Sequence, residues 1–229
     1  DKLEKQVSLI KRNNLDEYNV IQCGCNKHFT ETNTTEKWNI PIFEGSSEIV
    51  YPKLLLEPGP MFQGLLTSKI AFETIGYLDE TIVSYQEWDT AIRLAKICKY
   101  HWVDEPLFNY TINSNDSTFN FSRSRIEGLY QVLSKSGSAI ITIHGAKTFS
   151  SKIKNLVIDA FHCGFIDLRK KILNQNNKNI HLADKLLITI VVTFRLSKKA
   201  YENIIYFMKN PIFGAKHFTK KILLIRSLD

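Results

Sequence analysis

No two cysteines in this chain stand at CxxC spacing, and four among 229 residues are too few for a disulfide-stapled secreted scaffold. Cys23, Cys25, Cys98 and Cys163 therefore read as reduced thiols, and a cytoplasmic setting is expected. Cys23 and Cys25 alternate in a β-like run and share one face; as a metal half-site they lack a partner pair, so they read as packing residues. No apolar run reaches the ~20 residues that a membrane-spanning helix needs. The longest candidate, residues 186–194, is cut by Arg195 and reads as buried or interfacial. His28, His101, His144, His162, His181 and His217 form neither an HExxH motif nor an i, i+4 pair. GxSxG, Walker A and Rossmann glycine patterns are missing too, so hydrolase and nucleotide-hydrolysing readings find no support. There is no internal repeat. The chain opens at Asp1 without Met or signal peptide, and its first residues read as a helix in mid-course, so a fragment of a longer chain is expected.

What is present fits one sizeable core, or one domain with an appendage: 44% of residues are hydrophobic and 23% charged. The net charge of +7 is unevenly placed. Residues 150–229 carry 15 Lys/Arg against 5 Asp/Glu, which leaves 15 against 18 in residues 1–149. The basic character belongs to the tail, which favours anionic surfaces in general. It lacks the aromatic-basic interleaving of RNA readers, so no nucleic-acid partner is expected.

Periodicity predicts an amphipathic helix over residues 2–12, a strand over 18–23, and a loop or hairpin excursion over 26–37. Prolines and glycines between residues 51 and 67 argue for a shaped turn leading into a strand-like segment. Helices are predicted over 69–75 and 87–99, and short strands over 101–103 and 107–112. Residues 113–125, polar and rich in Ser and Asn, read as a mobile loop. Beyond residue 126 the pattern turns helical, over 126–133, 151–161, 167–173, 183–195 and 199–209. The composition shift near residue 130 is the expected domain boundary, separating 1–130 from a basic helical extension, 131–229. In residues 183–209, Leu186, Leu187, Ile190, Val191, Phe194, Tyr201, Ile204, Ile205 and Met208 form apolar stripes edged by Lys185, Arg195, Lys198, Lys199 and Lys209. Such a stripe suits a core face, and it also suits a helix lying in a membrane interface.

The segment richest in chemistry runs from Ile75 to Ala95. Glu87 and Asp89 sit where a helix should start, and free backbone N–H groups there favour negative charge. That alone is a capping pattern. Its company is more telling: Asp79-Glu80 upstream, Trp88 between the two acids, and Arg93 one and a half turns on. The runs Gly76-Tyr77-Leu78-Asp79-Glu80, Gln86-Glu87-Trp88-Asp89 and Arg93-Leu94-Ala95 resemble the acceptor-side motif of inverting family 2 glycosyltransferases. In that family the pattern is Gly-Gly-Phe-Asp-Glu, a short loop, then Glu-Asp-Trp-Asp-Leu-x-x-Arg-Leu-Ala. The run from His101 to Tyr110 is similar to the family's strand ending in Pro-Leu and an aromatic-rich turn. Residues 1–7 resemble the helix that follows its metal-binding Asp-x-Asp. The resemblance spans roughly residues 1–130.

It implies the acceptor half of a GT-A-type α/β domain with a mixed sheet, followed by a helical extension. It implies a nucleotide-sugar donor, a glycan or lipid-linked acceptor, and a divalent cation, Mn or Mg, for the intact enzyme. By that pattern Glu87 stands at the position of the catalytic base, usually Asp, with one more methylene of reach. Asp89 is the second acid, expected to orient the acceptor or cap the turn. Trp88, Arg93, Arg123 and Arg125 are the candidate donor or acceptor contacts, Arg93 reading first as a structural partner for one acid. The family often has a metal-assisting His soon after the aromatic-rich strand; Asn113 stands here instead. No Asp-x-Asp occurs in the sequence, so the metal ligands are unknown and weak donor binding is expected. The contrasting expectation is a non-catalytic module that uses the basic tail on a membrane surface, peripheral on its cytoplasmic face, or on a partner protein.

Overall fold

A computed structural model describes residues 1–113 and 122–209. Its elements are α1 (Lys2–Arg12), β1 (Asn19–Phe29), β2 (Thr34–Trp38), α2 (Ser47–Leu54), β3 (Leu65–Thr67), α3 (Lys69–Thr74), α4 (Gln86–Leu94) and β4 (Lys99–Ile112). There follow α5 (Arg123–Lys135), α6 (Gly137–His144), α7 (Ala146–His162), α8 (Ile166–Asn176), α9 (Leu182–Thr193) and α10 (Lys198–Lys209). The architecture is α/β, a mixed open sheet of four strands followed by a helical carboxyl-terminal part.

β1 organises the sheet. Along one edge it pairs in parallel with β4 over its whole length. Along the other it pairs antiparallel with β3 near its start and with β2 near its end. The first seven residues of β1 are buried, as expected of a strand covered on both faces. The excursion over 26–37 is thus a hairpin, because β1 runs six residues past the expected Cys23. Two expected short strands are one, β4. Its Pro106 cannot donate to the ladder, and the register with β1 shifts on both sides of Gly24, so the strand bulges there instead of ending.

Buried polar side chains fasten the neighbouring segments. On α1, Gln6 donates from Nε2 to Ile21 O at 3.2 Å and Gly64 O at 3.0 Å. From β1, Gln22 donates to Pro41 O at 2.9 Å and accepts from Phe43 N–H at 3.2 Å, holding residues 41–43 against the sheet. One core joins Val20, Phe43, Leu54, Trp88 and Tyr100 to Ile126, Ile153, Val157, Leu168 and Val191. It runs without a break through residue 130, which lies inside α5. Tyr130 there donates to Gln175 Oε1 at 2.6 Å and accepts from Asn176 Nδ2 at 3.0 Å, both on α8.

Candidate functional site

α4 begins abruptly. Its N-cap residue, Tyr85, takes the left-handed conformation at φ +66°, which is costly for a bulky side chain. Two contacts hold it there: its hydroxyl accepts from Arg125 Nε at 2.8 Å, and its ring meets Trp88 edge-on with centroids 6.1 Å apart. The turn drops the first residues of α4 to the wall of a cleft of about 610 Å³. That volume lies within the usual range of small-molecule sites.

The cleft is built by segments far apart in sequence. The end of β2 supplies Trp38, and β4 supplies Tyr110, whose ring meets that of Trp38 edge-on at 5.4 Å. Lys27 caps the Trp38 ring at 4.7 Å. The turn at residues 58–61 forms another side; Gly59 lies so close to α4 that a Cβ there would stand 2.9 Å from that of Ala91. Trp88 is part of the lining, its indole N–H committed to Leu54 O at 2.6 Å. Ser122, Ser124 and Arg125 add to it from the start of α5.

Glu87 faces this cleft, half-buried in the first turn of α4. Its carboxylate enters no hydrogen bond or ion pair among the described residues. It shares the lining with the Arg125 cation and the aromatic faces of Trp38, Tyr85, Trp88 and Tyr110. The arrangement can accept a proton from a hydroxyl compound seated against those rings.

Asp89 lies elsewhere. Two residues on a helix are separated by about 200°, so when Glu87 points to the cleft Asp89 points inward. It is 2% exposed and held by two cations, Arg93 Nε at 2.8 Å and Lys135 Nζ at 2.8 Å. Lys135 also binds Asp79 at 2.8 Å, and Arg93 donates onward to Ile75 O at 2.7 Å and Tyr77 O at 2.6 Å. The bond from Lys135, then those from the Thr81 hydroxyl and N–H, hold the Asp79 carboxyl well below the usual carboxylate range. Asp79, Asp89 and Arg93 therefore clamp the 75–79 loop to α4 and α5. Neither side chain is in the cleft lining: Arg93 is the structural partner of an acid that its spacing suggested, and Asp89 is taken up by the clamp.

The two loop arginines also need correction. Both lie in the first turn of α5, because the Ser122 hydroxyl accepts from Arg125 N–H at 3.3 Å and caps the helix. The remainder of that expected loop, residues 114–121, lies outside the described residues. Arg123 is turned to α8, where Asp167 takes both its terminal nitrogens, one at 2.9 Å. Arg125 alone reaches the cleft. Sequence reasoning missed Trp38, Tyr85 and Tyr110. The signals were slight: Trp38 and Tyr110 are aromatic residues on polar strands, Tyr110 within the family-like run, and Tyr85 stands in the turn before α4.

Among the described residues no three His, Cys, Asp or Glu side chains gather as a metal-binding group, and Glu87 is the one carboxylate in the cleft lining. No protein-family model and no curated protein matches the chain.

Proposed function

We propose that the cleft is the acceptor side of an inverting, GT-A-type nucleotide-sugar glycosyltransferase and that Glu87 is its base. The observation that carries this is the unpartnered Glu87 carboxylate, presented at a helix start in a cleft walled by aromatic rings. Flat rings suit the C–H faces of a sugar, and a carboxylate without internal partners is available to an acceptor hydroxyl. The motif likeness between residues 76 and 95 supports the same reading.

In the displacement, the acceptor oxygen forms a bond to the anomeric carbon as the bond from that carbon to the donor diphosphate breaks. The hydroxyl proton passes to a Glu87 oxygen and then to solvent. Trp88 and Tyr85 set the position of Glu87, and Arg125 fixes Tyr85 while adding positive charge to the wall. The donor is a nucleotide-sugar and the acceptor a glycan or lipid-linked glycan, the pair used in polysaccharide and glycoconjugate assembly. The Mn or Mg that the family uses has no ligand set among the described residues, and no step is assigned to it.

The test is sugar transfer and sugar-nucleotide hydrolysis by this chain and by any longer natural protein that contains it. Glu87→Gln should lower a measured rate by ~10²–10⁴-fold with an unchanged melting temperature. Undiminished activity in that variant removes Glu87 from the role.

A further inference from the structure

Four large apolar side chains stand at four-residue steps along α9 and its C-cap and face outward: Leu182 (74% exposed), Leu186 (58%), Ile190 (42%) and Phe194 (71%). On a 3.6-residue helix each such step drifts by only about 40°, so the four make one slanting stripe ~18 Å long. The opposite face is occupied: Leu187, Ile188 and Val191 are buried, and Asp184 is bound by Lys154 at 3.1 Å. Basic residues lie close to the stripe along the chain, Lys185 within α9, Arg195 just after it, and Lys199 in the first turn of α10. None of these three enters an ion pair among the described residues.

We infer that this face docks on an anionic lipid surface. Charge decides among the occupants an apolar stripe could take. A second copy of the chain would bring the same cations with the same stripe. Residues 210–229 carry Lys216, Lys220, Lys221 and Arg226 against Asp229 alone, and are equally ill-matched to it. An acidic lipid surface answers the cations while its acyl boundary takes the apolar side chains, as for helices that lie in the interface plane. No described helix is long and apolar enough to cross a membrane, so the contact lies along the surface. The inference stands apart from the cleft and does not depend on Glu87.

The test is co-sedimentation of the 229-residue chain with phosphatidylcholine vesicles and with vesicles carrying phosphatidylserine, each at low and high salt. With about 30% phosphatidylserine and about 0.05 M salt the chain should pellet, with about tenfold less bound at 0.5 M salt or on the neutral vesicles. Leu186→Asp with Phe194→Asp should remove about tenfold of the binding while leaving the melting temperature unchanged, since both side chains are exposed. Negligible binding throughout, or binding that the double variant retains, overturns the inference. So does a concentration-dependent dimer, seen by ultracentrifugation and dissolved by the same substitutions, which assigns the stripe to a second copy.

Discussion

Glu87 and Asp89 are two acids in one helical turn with opposite surroundings, and their substitutions should separate cleanly. Asp89→Ala leaves Arg93 without its buried counter-ion while Lys135 keeps Asp79, and breaking a buried pair of this kind costs about 3–5 kcal/mol. Urea denaturation should register that loss, whereas Glu87→Gln should change stability by no more than ~0.5 kcal/mol. The sequence showed both acids and the likeness of their motif. Which one faces inward depended on Lys135, whose side chain reaches back from α5 to Asp79 and Asp89 together. No local pattern carries that information. Arg93 was legible as a partner for an acid because a step of four residues brings it over Asp89.

At the scale of elements, α5 approaches the 84–85 turn more closely than two ordinary segments can. A Cβ on Gly128 would lie 2.3 Å from Ser84 O, a backbone atom that cannot swing aside. Helix propensity alone favours Gly128→Ala by roughly 1 kcal/mol, while overpacking against a fixed partner costs typically 1–3 kcal/mol. The clash should win: Gly128→Ala should lower the melting temperature and displace Tyr85, with altered tryptophan fluorescence from Trp88 as the readout. The later helices were legible within a few residues because their apolar positions recur at helical spacing. Others were lost to local punctuation: Pro52 hid α2, which stays helical although that residue cannot donate to Glu48 O, and Gly137 and Gly145 obscured α6. The predicted helix over 87–99 ends at Leu94, since Lys99 already belongs to the strand paired with β1. The part of the cleft wall formed by Trp38 and Tyr110 was not legible, because β2 and β4 bring those rings together only after the sheet pairs.

For the whole molecule, charge sets the response to acid. Asp167 shares the behaviour of Asp79: its bonds to Arg123, ahead of the competing effect of burial, hold its carboxyl below the ordinary range. A carboxylate depressed in the folded state adds stability that is complete above its unfolded pKa and is lost as pH falls through the folded one. Stability should therefore hold from neutrality to about pH 4 and decline below it, as the net charge climbs from +7 and the basic tail repels itself. Melting temperatures between pH 7 and pH 2 measure this, and Lys135→Met should shallow the acid decline by removing the largest of the contacts that depress Asp79. Composition changes near residue 130, and the tie between Tyr130 and α8 there is one that composition does not carry. The position of Lys135 has a consequence for synthesis. A ribosome delivers Asp79, Glu87 and Asp89 well before it delivers α5, so the nascent chain displays every acid of the motif while the clamp that orients them is still unmade. A premature stop codon just upstream of residue 135 would release a polypeptide whose motif reads intact and whose site is unassembled.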